Sequence, residues 1–110
     1  MTPSCTREEK YMRISIEEEM DGLIRKGGGS YSIWYVGVAA DPRDRLFTGH
    51  NVDEQGGGWF FREAGSESSA RDIEAIFLKK GCKGGPVGKD FRPHYIYAYK
   101  MTRTTWGSKS

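Results

Sequence analysis

The chain has 110 residues, a net charge of +2 and a hydrophobic content of 36%, which together allow one domain with a modest core. Aromatic residues make up 13% of the sequence, which excludes a predominantly disordered chain. Without an apolar run of the ~18–20 residues that a membrane span needs, we expect no membrane anchor. Two cysteines are too few for a disulfide scaffold, so we expect a cytoplasmic protein with no disulfide-linked partner.

Positive charge is concentrated toward the C-terminus. Residues 27–78 carry four basic and eight acidic side chains, whereas residues 79–110 carry eight and one. This basic third favours a polyanionic partner such as DNA or RNA, although a solvated terminus explains the same pattern.

The 15 glycines fall mostly in clusters, which predict loops around 27–29, 56–58 and 84–88.

The first predicted helix covers about residues 16–26. Ser15 is a candidate cap, apolar residues follow with helical spacing, and Gly27 can end the helix. Upstream, Thr6 and Glu9 are spaced to cap a shorter helix, but apolar residues alternate between positions 12 and 16 as they do in a strand, so the structure of that segment is left open. We assign residues 1–30 to an N-terminal helical extension.

A strand is predicted next, over residues 32–39. Its aromatic and β-branched residues with little charge are typical of a strand buried on both faces, which predicts a central position in the sheet. Asp41 as cap and Pro42 in the first turn predict a short helix that Gly49 ends. Residues 51–58 are predicted to form a loop.

Two strands and one helix complete the prediction. The strands are placed at residues 59–64 and 94–101. The helix is placed at about 68–80, with Ser66 and Ser68 as candidate caps and Gly81 as its end. Alternation puts three tyrosines of the last strand on one face, namely Tyr95, Tyr97 and Tyr99. The result is a single α+β domain spanning 1–110, with a three-stranded sheet and about three helices. Its N-terminal helical extension covers 1–30, its core 31–101 and its tail 102–110.

Glu74 is the position with the clearest chemical signal. At about 100° per residue, its carboxylate falls within the apolar arc of the third helix, between Ala70 and Leu78. Burial of an unpaired carboxylate is unfavourable, so this group needs a metal, a cationic partner or a cleft. Pairing with Arg71 at the edge of the apolar face is the structural alternative.

Tyr35 and Arg45 can join this carboxylate in one site. Tyr35 lies in the first strand and Arg45 in the helix that follows, so both side chains can project over the same sheet edge. A tyrosine, an arginine and a carboxylate suit phosphodiester hydrolysis, because they can activate water, neutralise phosphate charge and hold a divalent metal.

Residues 35–45 resemble the second strand and first helix of the GIY-YIG nuclease superfamily. Tyr35-Val36-Gly37 corresponds to the Tyr-Ile-Gly motif of that family, and Arg45, ten residues later, to its catalytic arginine. The Glu74 segment also resembles the one that carries the family's metal-binding glutamate. The resemblance covers about residues 32–80.

The resemblance implies a metal-dependent nuclease that acts on DNA or RNA. Glu74 would then bind Mg²⁺ or Mn²⁺, Arg45 would stabilise the scissile phosphate, and Tyr35 would position or activate water. His50 lies where family members often carry a histidine, which implies a general base or a phosphate contact; a loop histidine is the alternative. The competing function is a non-catalytic module on the same fold that binds nucleic acid or protein.

One family motif is missing from its expected place. The family's Gly-Ile-Tyr strand should precede Tyr35 by about eleven residues, where this chain has Ile24 within a predicted helix. We therefore expect the strand at 94–101 to lie beside the strand at 32–39, so that Tyr97 supplies the absent catalytic tyrosine. The predicted substrate contacts are Gly37, through close backbone approach, and two cations, Arg43 and Lys100.

Overall fold

A computed structural model describes residues 7–56, 58–84 and 93–105, with side chains from residue 11 onward. Within these ranges the structure has three α-helices and three strands, in the order α1 (Arg7–Lys26), β1 (Trp34–Ala39), α2 (Pro42–Asp44), β2 (Trp59–Glu63), α3 (Glu67–Lys80) and β3 (Tyr95–Lys100). The predicted α+β class is thereby confirmed. None of the helices in this described part is long and apolar enough to cross a membrane.

The sheet has the strand order β1-β3-β2, and both pairs of neighbours are antiparallel. Gly37 lies opposite Tyr97, and Phe60 lies opposite Ala98. The expected pairing of the last strand with the strand that carries Tyr35 is therefore confirmed.

The prediction that β1 is the central strand is wrong, because β3 holds that position. Every residue of β1 is buried because helices cover both faces of the sheet there. Burial of the two faces does not reveal whether a strand has one neighbour or two. The outer edge of β1 is instead covered by Lys83, whose carbonyl accepts from Val36 N at 2.9 Å and whose N–H donates to Trp34 O at 2.8 Å.

Helix α1 begins at Arg7, well before the predicted start near residue 16. Met12 and Ile14, which alternate as in a strand, are on the exposed side of this helix, whereas Ile16 and Met20 are buried. Ile24 is buried as well, and the spacing of i, i+4 and i+8 puts Ile16, Met20 and Ile24 on one face of the helix. The segment predicted as an N-terminal extension thus contributes to the main core.

The predicted caps form at both internal helices. Asp41 Oδ1 accepts a hydrogen bond from Asp44 N at 3.1 Å, and Ser66 Oγ accepts one from Ser69 N at 3.1 Å. α3 ends as expected at Gly81, whose φ of 122° suits glycine. Several predicted features lie outside the described residues: Cys5, the loop after residue 84, and the tail after residue 105.

Alternation along the strands gives the sheet two different faces. One face packs against α1 and α3 through a cluster that includes Trp34, Val36 and Phe77. The other face packs against the turn after α2 through a cluster that includes Tyr35 and Leu46. Because odd and even residues of a strand point to opposite faces, Tyr35 lies on the side of the sheet away from α3.

Candidate active site

Tyr97 lies directly over the backbone of Gly37. The two residues are cross-strand partners, and a Cβ atom added to Gly37 would lie 2.5 Å from Tyr97 Oη. Glycine is therefore required here because the tyrosine ring occupies the space of a side chain. Tyr97 makes the close approach to this glycine, and contact of Gly37 with a substrate stays a prediction.

His50 connects three tyrosines on this face. Its Nε2 lies 2.8 Å from Tyr97 Oη, and its Nδ1 lies 3.0 Å from Tyr99 Oη. Its ring centroid is 4.7 Å from that of Tyr35, which in turn stacks on Tyr99 at 5.2 Å. We call these four residues the tyrosine–histidine cluster.

A π-turn over Arg45–Gly49 carries His50 into this cluster. Asp41 and Pro42 begin the short helix, after which the chain widens, and His50 N donates to Arg45 O at 2.8 Å. A π-turn holds one more residue than an α-turn and is often found at functional sites. Only 5% of the surface of His50 is exposed, so it is not a solvent-facing loop histidine.

The two ring nitrogens of His50 bond differently to their tyrosine partners. A neutral imidazole donates through one nitrogen and accepts through the other, so Tyr97 and Tyr99 take opposite hydrogen-bonding roles toward His50. Burial, followed by the proximity of Tyr35 and Tyr97, raises the pKa of Tyr99 well above its usual value. Tyr99 therefore remains a neutral hydroxyl that holds the imidazole.

Arg45 is half-buried at the beginning of the π-turn. Its Cδ would lie 3.8 Å from a Cβ atom added to Gly49, so its side chain runs along the same turn that carries His50. Arg43 forms an ion pair with Glu54 and lies over the ring of Phe47, and its contact with substrate stays a prediction.

Lys100, the other predicted cationic contact, is exposed at the end of β3. A Cβ atom added to Gly58 would lie 3.6 Å from its Cβ. Lys100 is the cross-strand partner of Trp34, the first residue of β1. Its charge therefore lies at the end of the sheet where β1 begins.

Glu74 lies on α3, and so on the opposite side of the sheet from His50. It is half-buried as the helical geometry predicts, and burial raises the pKa of its carboxyl while Arg71 partly opposes the shift. Arg71 Nε forms its ion pair with Glu67 at 2.9 Å. In the part of the chain that the structure describes, the Glu74 carboxylate accepts no hydrogen bond.

The side of α3 that carries Glu74 is turned toward the outer edge of β1. Leu78, one turn further on the same side, contacts Gly84, where an added Cβ atom would lie 2.6 Å from Leu78 Cδ2 and 3.3 Å from Val36 O. The exposed residue Lys83 runs along this edge through its backbone bonds to β1. Glu74 thus lies one turn before a residue next to this edge, and the backbone of Lys83 lies on the edge itself.

A divalent cation at this position would rely on few protein ligands. No group of three His, Cys, Asp or Glu side chains with metal-binding geometry occurs among the described residues. Mg²⁺ needs only one or two carboxylates when waters and substrate phosphate complete its coordination. The carboxylate oxygens of Glu74, which accept no hydrogen bond from any described residue, fit that mode of binding.

The structure brings Tyr35 and Tyr97 together around His50 and puts Arg45 on the turn that carries His50. It does not bring Glu74 together with Tyr35, because α3 and Tyr35 lie on opposite faces of the sheet. Two residues of this region were absent from the prediction. Tyr99 shares the alternating face of Tyr97, which is a signal the sequence contained. Lys83, which follows α3, forms an isolated parallel β-bridge with Tyr35. No residue pattern in the sequence predicts this bridge.

A scan against protein-family models found no match, and neither the curated proteins nor the solved structures contain a match to this chain.

Proposed function

We propose that this chain cleaves phosphodiester bonds in DNA or RNA, as the resemblance to GIY-YIG nucleases implies. The observation that carries the proposal is the pairing of β3 with β1, which puts Tyr97 beside the strand of Tyr35 and 2.8 Å from His50. β3 would thus take the place of the absent Gly-Ile-Tyr strand, from the other end of the chain.

Three residues of the cluster, together with Arg45, have a role in such a reaction. Tyr35 orients the attacking water, and Tyr97 passes the proton of that water to Nε2 of His50. The water oxygen forms a bond to phosphorus while the bond from phosphorus to the leaving oxygen breaks. The proton on His50 is then transferred to the leaving oxygen. The Arg45 guanidinium neutralises charge that develops on the phosphate.

Glu74 is the residue that would hold Mg²⁺ or Mn²⁺. A bound divalent cation supplies positive charge to a phosphate oxygen. The substrate would lie along the outer edge of β1, because this edge is common to the face that carries Arg45 and the face that carries Glu74. Lys83 adds a cation there, and the eight basic residues of 79–110 favour a polyanion.

A nuclease assay tests the proposal with single- and double-stranded DNA and RNA. We expect cleavage by the full chain with Mg²⁺ or Mn²⁺ and none with EDTA. Arg45→Ala and Glu74→Gln should each lower the rate by about 100-fold or more. Arg25→Ala removes an equal charge from the exposed end of α1 and should leave the rate unchanged.

Absence of cleavage on every substrate, with salt-sensitive binding retained, would contradict the nuclease and favour the non-catalytic binding module.

We also propose the cytoplasm as the location, since Cys82 is a free, buried thiol whose pKa burial raises to about 11.

A further inference from the structure

The outer edge of β2 has a row of unpaired backbone groups. Ala64 N donates to His94 O at 2.9 Å, and Lys100 N donates to Gly58 O at 2.8 Å. These bonds fix the ladder, so that even-numbered residues of β2 bond to β3 and odd-numbered residues face outward. Within the described part of the chain, no backbone partner is bonded to the outward N–H groups, which belong to Trp59, Phe61 and Glu63.

The two outer edges of the sheet therefore differ. Lys83 covers the edge of β1 by bonding to its backbone. On β2, Phe61 O accepts from Nη1 of Arg62 at 2.7 Å, and it is the only outward carbonyl of this strand for which a partner is found among residues 7–56, 58–84 and 93–105. An exposed edge with free donors is a template for pairing with another strand.

An open groove of about 380 Å³ lies beside this edge, between α1 and β2. Its α1 side includes Tyr11 and Met12, which are 77% and 38% exposed. Its β2 side includes Arg62, whose Nε lies 3.2 Å from Glu19 Oε1 across the groove. A strand added to β2 would thus gain backbone bonds and also cover apolar surface of α1.

We propose that β2 pairs antiparallel with β2 of a second copy of this chain, with Phe61 opposite Phe61 on the two-fold axis. This register sets Phe60 opposite Arg62 of the copy, and Trp59 opposite Glu63 of the copy. No like charges face one another, and all the outward backbone groups find partners. Arg62 already lies over the ring of Phe60 in its own chain, at 4.7 Å.

Other registers are less favourable. A shift of two residues in one direction sets Arg62 against Arg62 of the copy, which is a repulsive pair. A shift in the other direction takes Glu63 beyond the end of the opposite strand, so its outward groups lose their partners. The five residues of β2 therefore specify one symmetric arrangement, which joins two sheets into one continuous sheet.

Hydrogen exchange of the unmodified chain tests this pairing residue by residue. We expect sedimentation to show a monomer in dilute solution and a dimer in concentrated solution. On dimerisation, the amide of Phe61 should exchange at least tenfold more slowly. The amides of Phe60 and Arg62, which already bond to β3, should change much less and serve as internal controls.

Cysteine cross-linking tests the register in a Cys5→Ser background. Phe61→Cys should form a covalent dimer under mild oxidation, because paired positions bring the two thiols together. Glu63→Cys retains the same edge but is displaced from the axis, so it should remain uncross-linked.

Three results would overturn the proposal. The first is a chain that stays monomeric at every concentration while the Phe61 amide exchanges rapidly. The second is a dimer that leaves this amide unprotected, which would show association through another surface. The third is cross-linking of Glu63→Cys as readily as Phe61→Cys.

Discussion

Replacing His50 with alanine is expected to lower the free energy of unfolding by about 3 kcal/mol. The imidazole is 5% exposed, and its two nitrogens bond to tyrosine hydroxyls that are themselves almost fully buried, those of Tyr97 and Tyr99. Alanine removes both bonds and leaves a cavity next to Tyr35. Each loss is destabilising, and the two add because the surrounding rings cannot all move into the space.

Urea unfolding of the two histidine variants measures this effect. His94→Ala is the matched control, because His94 is 35% exposed and its side chain pairs with the exposed carboxylate of Glu63 at 3.3 Å. We expect this variant to lose less than about 1 kcal/mol. Equal losses in the two variants would contradict the structural role given to His50.

A methyl group at Gly37 is expected to destabilise the chain by about 2 kcal/mol and to displace Tyr97. The added carbon would lie 2.5 Å from Tyr97 Oη and 2.6 Å from its Cζ. The ring cannot remain in place at these distances. Gly37→Ala should therefore also break the hydrogen bond between Tyr97 and His50.

Gly22→Ala provides the opposite control. This glycine lies within α1, and an added Cβ atom meets nothing within 4 Å. Alanine at this position should stabilise the helix by about 1 kcal/mol. Urea unfolding measures both variants, and NMR of the His50 imidazole reports the loss of its tyrosine partner. A Gly37→Ala variant with the stability of the original chain would contradict the packing described for Tyr97.

Features that depend on neighbouring residues could be predicted from the sequence. Capping by Asp41 and Ser66 and the stop at Gly81 each depend on one turn of chain. The half-buried position of Glu74 followed from helical periodicity alone. Its pairing with Arg71 did not form, because Arg71 is four residues from Glu67 and bonds there instead.

Features that depend on distant contacts were harder to predict. The position of β1 at an edge depends on the pairing of β3 with both other strands, and its outer side is covered by Lys83, which is 48 residues from Tyr35 in the chain. The π-turn after α2 requires the cluster to hold His50 from the other side of the loop. The pairing of β3 with β1 is the exception. The resemblance requires a strand with a catalytic tyrosine beside the strand of Tyr35, and the last predicted strand carries tyrosines.

The most direct test of the central claim compares cleavage by Tyr97→Phe and Tyr99→Phe. Each variant removes one oxygen atom that bonds to one nitrogen of His50, at 2.8 Å and 3.0 Å, so their stabilities should be similar. We expect Tyr97→Phe to lower the rate of Mg²⁺-dependent cleavage by about 100-fold and Tyr99→Phe to lower it by less than about tenfold. Wild-type cleavage by Tyr97→Phe, in a folded chain, would contradict the role of this tyrosine in catalysis.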